Sequence, residues 1–213
     1  MDYPYNGWLF LQFKKQTFYS PWKGYSIGLQ IGTTGANETL SKPMQNLYHK
    51  YILDLPLLSW VNYQPQAFHL NFISEYYNGF KFYKKIYFLS KSELFLGTYE
   101  SYFATRFGFQ FGNINNHSFF NNYFLNLDNS ISFYLGNKFE YSFHRYAFSG
   151  SLLRKNSLFN YNQLKLNHQI EFGVLYNKRN WLLTALINSK SKDFNIQRYQ
   201  RHTYLTIIIS RIF

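Results

Sequence analysis

This sequence predicts an all-β fold, an antiparallel up-and-down transmembrane β-barrel, and three observations carry the prediction. Aromatic residues make up 23% of the 213 residues, with 24 Phe and 21 Tyr, yet the mean hydropathy is only −0.35. Large apolar groups are therefore interleaved with polar ones, as on the two faces of a strand. No window carries the ~18 consecutive apolar residues of a spanning helix, whereas a barrel strand needs only about ten residues of alternation, a signal that hydropathy averaging hides. Finally, several stretches set Arg, Glu, Gln and Gly opposite rows of Phe. Such a polar face lines a lumen, and the Phe face then meets lipid. At this length a single domain, residues 1–213, is expected.

Taken in order, Leu9, Leu11 and Phe13 alternate with Trp8, Phe10, Gln12 and Lys14 across Tyr5 to Lys14, the two-residue period of a strand. Thr17 to Gly24 reads as a turn. Tyr25, Ile27, Leu29 and Ile31 then oppose Ser26, Gly28, Gln30 and Gly32, a side too small and too polar for an ordinary core. Residues 41–53 break the pattern with a helical element: Ser41 suits an N-cap, Pro43 a first turn, and Gln45 and His49, four apart, share one face. An irregular extension runs on to Gln64, and long loops of this kind are usually functional or disordered.

Alternation resumes with Phe68, Leu70, Phe72 and Tyr76 against His69, Asn71, Ile73 and Glu75. A Lys-rich hairpin region, Lys81 to Lys91, leads into Glu93–Tyr99. Phe103, Phe107, Phe109 and Phe111 then face one way, and Tyr102, Ala104, Arg106, Gly108 and Gln110 the other. Asn113 to Asn129 reads as a second long loop, and Ile131–Leu135 with Phe139–Phe148 as a hairpin around Gly136-Asn137. Leu164 to Tyr176 alternates again, and Asn177–Asn180 turns into Trp181–Asn188. The final run, Leu205 to Phe213, ends on an aromatic residue and resembles the assembly signal of bacterial outer-membrane barrels, so the barrel-assembly machinery is an expected partner. About ten strands are present, joined alternately by short turns and longer polar loops.

Composition narrows the chemistry. Cysteine is absent, which removes disulfides, thiolate metal sites and cysteine nucleophiles. Lys and Arg number 22 against 10 Asp and Glu, a net +12 that fits nucleic acid, an anionic membrane or a phosphorylated lipid. Nucleic acid is disfavoured because the aromatics are spread over every strand rather than gathered on one platform. Met1 is followed at once by strand-like sequence rather than a signal peptide. This leaves a cytosolic protein or one whose true beginning is missing. There is no Gly-x-Ser-x-Gly elbow, His-Glu-x-x-His helix or phosphate loop. Of the six histidines, His69 and His144 read as lumen hydrogen-bonders, and His117, His168 and His202 as loop or interface residues. His49 stands apart because its helix also carries Gln45, and imidazole can act as a general base near neutrality. A soluble β-sandwich, the competing fold, would have to hide Arg106, Glu171, Lys165 and Glu75 or expose rows of Phe, and both are costly.

These residues carry a family resemblance. Asp2-Tyr-Pro-Tyr-Asn-Gly-Trp8 resembles the Asp-Arg-Pro-Tyr-Ala-Gly-Trp strand start of the outer-membrane lipid A 3'-O-deacylase family. That family continues with a strand, Gly-x-x-Gly and a Gln-x-x-x-His helix, matched by Gly32-Thr-Thr-Gly35 and by Gln45 and His49. Trp60-Val-Asn-Tyr-Gln64 is similar to its Trp-x-x-Gln with one residue added, and Ser189-Lys-Ser-Lys-Asp-Phe194 to its closing hairpin. The resemblance implies a bacterial outer-membrane barrel of twelve strands, with the site at the extracellular rim between the wall and a loop helix. There a histidine acts as general base on water, and calcium stabilises the oxyanion as an ester-linked acyl chain of lipid A is hydrolysed. His49 takes the base position and Gln45 a supporting one. The implied partners are lipid A or lipopolysaccharide and membrane lipids, and the substrate's phosphates suit a basic protein. The family also uses an Asn-Asp pair, a Thr and a Lys, all upstream of the position matched by Asp2. An N-terminal segment is therefore expected to be missing, leaving two open sheet edges and an inactive chain. The alternative is a non-catalytic outer-membrane barrel, either a pore or a degenerate family member.

Overall fold

The computed structural model describes residues 7–37, 39–54, 56, 65–112, 118–120, 129–152, 162–179, 181–195, 197 and 199–211. The elements are β1 (Trp8–Ser20), β2 (Lys23–Thr34), α1 (Ser41–Tyr48) with a π-helical turn (His49–Leu53), β3 (Ala67–Tyr83), β4 (Ile86–Gly97), β5 (Glu100–Gly112), β6 (Ser130–Arg145), α2 (Tyr146–Ser149), β7 (Leu166–Lys178), β8 (Trp181–Ser191) and β9 (Arg201–Arg211). The nine strands form one sheet in sequence order, with every neighbouring pair antiparallel.

The sheet is strongly curled, because side chains on its concave face reach over intervening strands. Lys14 of β1 pairs with Glu75 of β3. Arg106 of β5 meets Glu171 of β7 at 3.1 Å, and the Tyr204 hydroxyl of β9 donates to Gln169 of β7 at 3.1 Å. The concave face is polar and buried, with Gln30, Asn71, Gln110, Asn167 and Glu171 enclosed. The convex face is apolar and exposed. Strand register lines up Phe80, Phe88, Phe109, Leu135, Phe172, Ile187 and Leu205 in one lateral belt across seven strands. Exposed apolar groups in a continuous belt over buried charges are the arrangement of a membrane barrel wall, and among the described residues no helix is long and apolar enough to cross a membrane.

Local readings of the turns need correction. The expected turn at Thr17–Gly24 shrinks to Pro21-Trp22, because both strands extend further and the Trp22 ring stacks on Tyr87 at 4.4 Å. The Lys81–Lys91 region turns only at Lys84-Lys85. No hairpin forms at Gly136-Asn137: β6 runs unbroken through both residues, which turns the ten or so expected strands into nine among the described residues. Gly136 is there for space rather than for a turn, since a Cβ would collide with the Tyr134 ring and hydroxyl folded over it. Gly136→Ala therefore displaces a fully buried tyrosine. It is expected to lower stability by about 1–3 kcal/mol, read as a fall in the urea midpoint of the folded protein in detergent; an unchanged midpoint would refute the packing role.

The strand order places the turns at Pro21-Trp22, Lys84-Lys85 and Arg179 at one end of the sheet. The helical segment, Thr98-Tyr99, α2 and the β8–β9 connection lie at the other. The connection at 113–129 also lies at the first end, where three of the four connections are tight, against one of four at the second; a predominance of tight turns marks the periplasmic end of such a wall and longer loops the outer one.

Candidate active site at the rim

Ser41 opens α1 without capping it. The preceding Leu40 is left-handed at φ 58° and no side chain caps the helix, because the Ser41 hydroxyl lies 2.7 Å from that of Thr39, which donates to the Gly35 carbonyl at 2.5 Å. This knot sits directly on Gly7, where a side chain would collide with Thr39, Ser41 and Gly35. The Gly35 amide also donates to the Gly7 carbonyl at 3.3 Å. The start of the helical segment is thereby tied to the start of β1.

The His49 amide donates to the Gln45 carbonyl, so the two side chains lie on one face, a turn apart. Beyond His49 the helix widens: the Asp54 amide bonds the His49 carbonyl and Asp54 is left-handed at φ 50°. Single π turns of this kind are frequent at functional sites. His49 is half-buried, and among the described residues its Nδ1 is enclosed without a hydrogen-bond partner. Met44, Leu47, Tyr51 and Ile52 on the same segment are exposed, giving the helix an apolar side.

The far end of the loop is held at the same mouth. The Tyr146 hydroxyl donates to the Pro65 carbonyl at 2.7 Å, and burial holds that phenol above its ordinary pKa, so it remains a donor. Thr34 shares a hydrogen bond with His69 Nε2 at 3.1 Å, and Thr98 with His69 Nδ1 at 3.2 Å. Tyr146 stands edge-on to His69 at 4.5 Å, and Trp8 stacks on Tyr99 at 4.3 Å. Both ends of the segment carrying His49 are thus anchored in a buried cluster drawn from β1, β2, β3, the Thr98-Tyr99 turn and α2.

Below this mouth the concave face is crossed by paired charges. Glu75 accepts from Ser26, Tyr77 and Lys91, each at 2.5 Å; Lys91 also reaches Glu93 at 3.0 Å, and Lys138 reaches Glu140 at 2.8 Å. Arg145 bridges Glu140 and Asp193 while Lys190 approaches Asp193 at 2.8 Å. Towards the periplasmic end, Ser118–Phe120 folds inward. The Phe119 amide donates to Gln110 at 2.9 Å, its ring stacks on Tyr134 at 4.5 Å, and Arg106 lies 5.6 Å over Phe120.

The profile of the family described as outer membrane protein LpxR matches residues 1–213. The chain belongs to the LpxR family. The solved structure of LpxR from Salmonella typhimurium is similar over 97% of this chain and 73% of that one, with a TM-score of 0.76 at 13% identity. That likeness concerns the fold, an all-antiparallel barrel wall. No curated protein sequence matches the chain. LpxR membership assigns it to the bacterial outer membrane.

Within this LpxR-family chain, Gln45 and His49 share a face, as their spacing implies. His69 is a buried hydrogen-bonder, His144 shares a hydrogen bond with Ser149 at 3.1 Å, and His168 contacts Asn137 at 2.9 Å; His117, Trp60–Gln64, Asp2–Asn6 and Phe213 lie outside the described residues. Sequence reading passed over Thr34, Thr98 and Tyr146, whose roles come from strand register, and Ser118–Phe120, whose inward course no local pattern signals. Calcium takes six to eight oxygen ligands, and among the described residues no three His, Asp or Glu side chains converge. The described carboxylates and imidazoles therefore do not by themselves make a calcium site.

Proposed function

We propose that this protein modifies lipid A at the outer-membrane surface, by hydrolysis of a 3'-linked ester acyl chain with His49 as general base. The carrying observation is the helical face at the rim that presents Gln45 and the unpartnered His49 Nδ1. Family membership supports the lipid A substrate. His49 takes a proton from water, the resulting hydroxide adds to the ester carbonyl, and the same proton returns to the departing sugar oxygen. Gln45 orients the water or the acyl carbonyl through its amide. The exposed Met44, Leu47, Tyr51 and Ile52 suit an enzyme whose substrate stays in the leaflet.

The test is a lipid A deacylation assay, read by mass spectrometry, of outer membranes carrying the protein beside membranes lacking it. Turnover is expected only with the protein present; its absence would overturn the hydrolase and favour a non-catalytic barrel. Against a pore, the charges of the concave face are paired and Phe119 and Phe120 fold across it.

A further inference from the structure

The convex face carries a basic and aromatic row at the opposite end of the wall from His49. Strand register sets Lys178, Trp181 and Arg211 side by side in the last outward-facing row before the β7–β8 turn, with Arg179 in the turn itself. The Arg211 guanidinium lies over the Trp181 ring at 5.3 Å. The next row towards the membrane centre is Tyr176, Leu183 and Ile209, and the one beyond it is Val174, Ala185 and Ile207. Ala185 is the small member between two branched neighbours, so the surface dips along β8. A groove of ≈ 450 Å³ opens here between Tyr176, Trp181, Leu183 and Ile209, with Lys178 and Arg179 at its mouth.

This sequence of layers, three cations around a tryptophan and then two apolar rows, has the polarity of one lipid molecule. We propose that it binds an anionic glycerophospholipid of the periplasmic leaflet, with the phosphate among Lys178, Arg179 and Arg211 and one acyl chain along the groove towards Ala185. The depth order fits a bilayer interface, where aromatic rings and basic side chains flank the hydrocarbon. Charge decides the class: among the described residues the groove is lined by two cations and no carboxylate. Three of the four connections at this end are tight turns, the mark of the phospholipid side rather than of the surface where His49 stands.

The test is native mass spectrometry of the protein purified from membranes in neutral detergent, with equal amounts of phosphatidylglycerol and phosphatidylcholine. One retained phosphatidylglycerol is expected, with a preference of about 10-fold. The triple variant Lys178→Gln, Arg179→Gln, Arg211→Gln should lose that preference, and so should Leu183→Trp, which fills the groove at unchanged charge. The control Lys23→Gln, Lys84→Gln, Lys85→Gln, at other turns of the same end, should keep it. Equal retention of both lipids by the unaltered protein, or an unchanged preference in the triple variant, would overturn the site. Loss in the control as well would show general surface charge, and retention by Leu183→Trp would remove the groove. Displacement by equimolar lipid A would reassign the site to the substrate and overturn the phospholipid.

Discussion

His49→Ala is expected to lower lipid A deacylation by about 10²- to 10⁴-fold, the range of a lost general base, without altering the fold. The half-buried side chain sits on a helical segment with no buried residue, and among the described residues its Nδ1 has no hydrogen-bond partner, so truncation disturbs little packing. Gln45→Ala should reduce turnover less, because an amide that orients does not carry the proton. Mass spectrometry of the released fatty acid and residual lipid A gives the rate, and circular dichroism checks the fold. Full turnover in a folded His49→Ala protein would remove His49 from the mechanism; His69, at the same end, has both ring nitrogens already engaged.

Arg145→Met is expected to be the most destabilising single change in the wall. Arg145 is buried between Glu140 and Asp193 and is hydrogen-bonded to both. Removing the cation strands two buried carboxylates, a loss of about 3–5 kcal/mol, and Lys138 and Lys190, each 2.8 Å from one of them, keep it near the lower limit. Arg145→Lys should recover only part, since one ammonium cannot bridge two acids as a guanidinium does. A urea titration in detergent measures both, and a Met variant as stable as the parent would refute the bridge.

The same bridge sets a pH dependence. Burial alone would raise the Asp193 carboxyl, but Arg145 and Lys190 outweigh it and hold the group below the usual carboxylate range. A depressed folded pKa gives stability that is full above the unfolded value, about 3.9, and lost as pH falls through the folded one. Asp193→Asn should therefore flatten the fall in stability below about pH 4. An equally steep acid limb in the variant would place the titration elsewhere.

Most of the wall was legible because a strand with lipid on one face and charge on the other writes its period directly into the chain, as at Phe103–Gln110. Gly136-Asn137 misled because the dipeptide is a genuine local turn signal. What overrides it is the Tyr134 ring, which needs the missing side chain. That Gln45 and His49 share a helical face was legible for a similar reason, since four residues are about one helical turn. The pairings that anchor them were not: Thr34 and His69 are 35 residues apart, and Tyr146 reaches Pro65 across 81. Arg145 meets Asp193 across 48 residues. Such contacts follow from register and curvature, which single residues do not encode.

The nine strands among the described residues alternate strictly, and this has a consequence of parity. The first and ninth run in the same direction, so β1 and β9 could be zipped directly together only as a parallel pair, with slanted hydrogen bonds unlike those of every other seam. Two copies arranged head to tail about a common axis meet the same mismatch at both joints. A cylinder in which all neighbours stay antiparallel takes an odd number of added strands between β9 and β1.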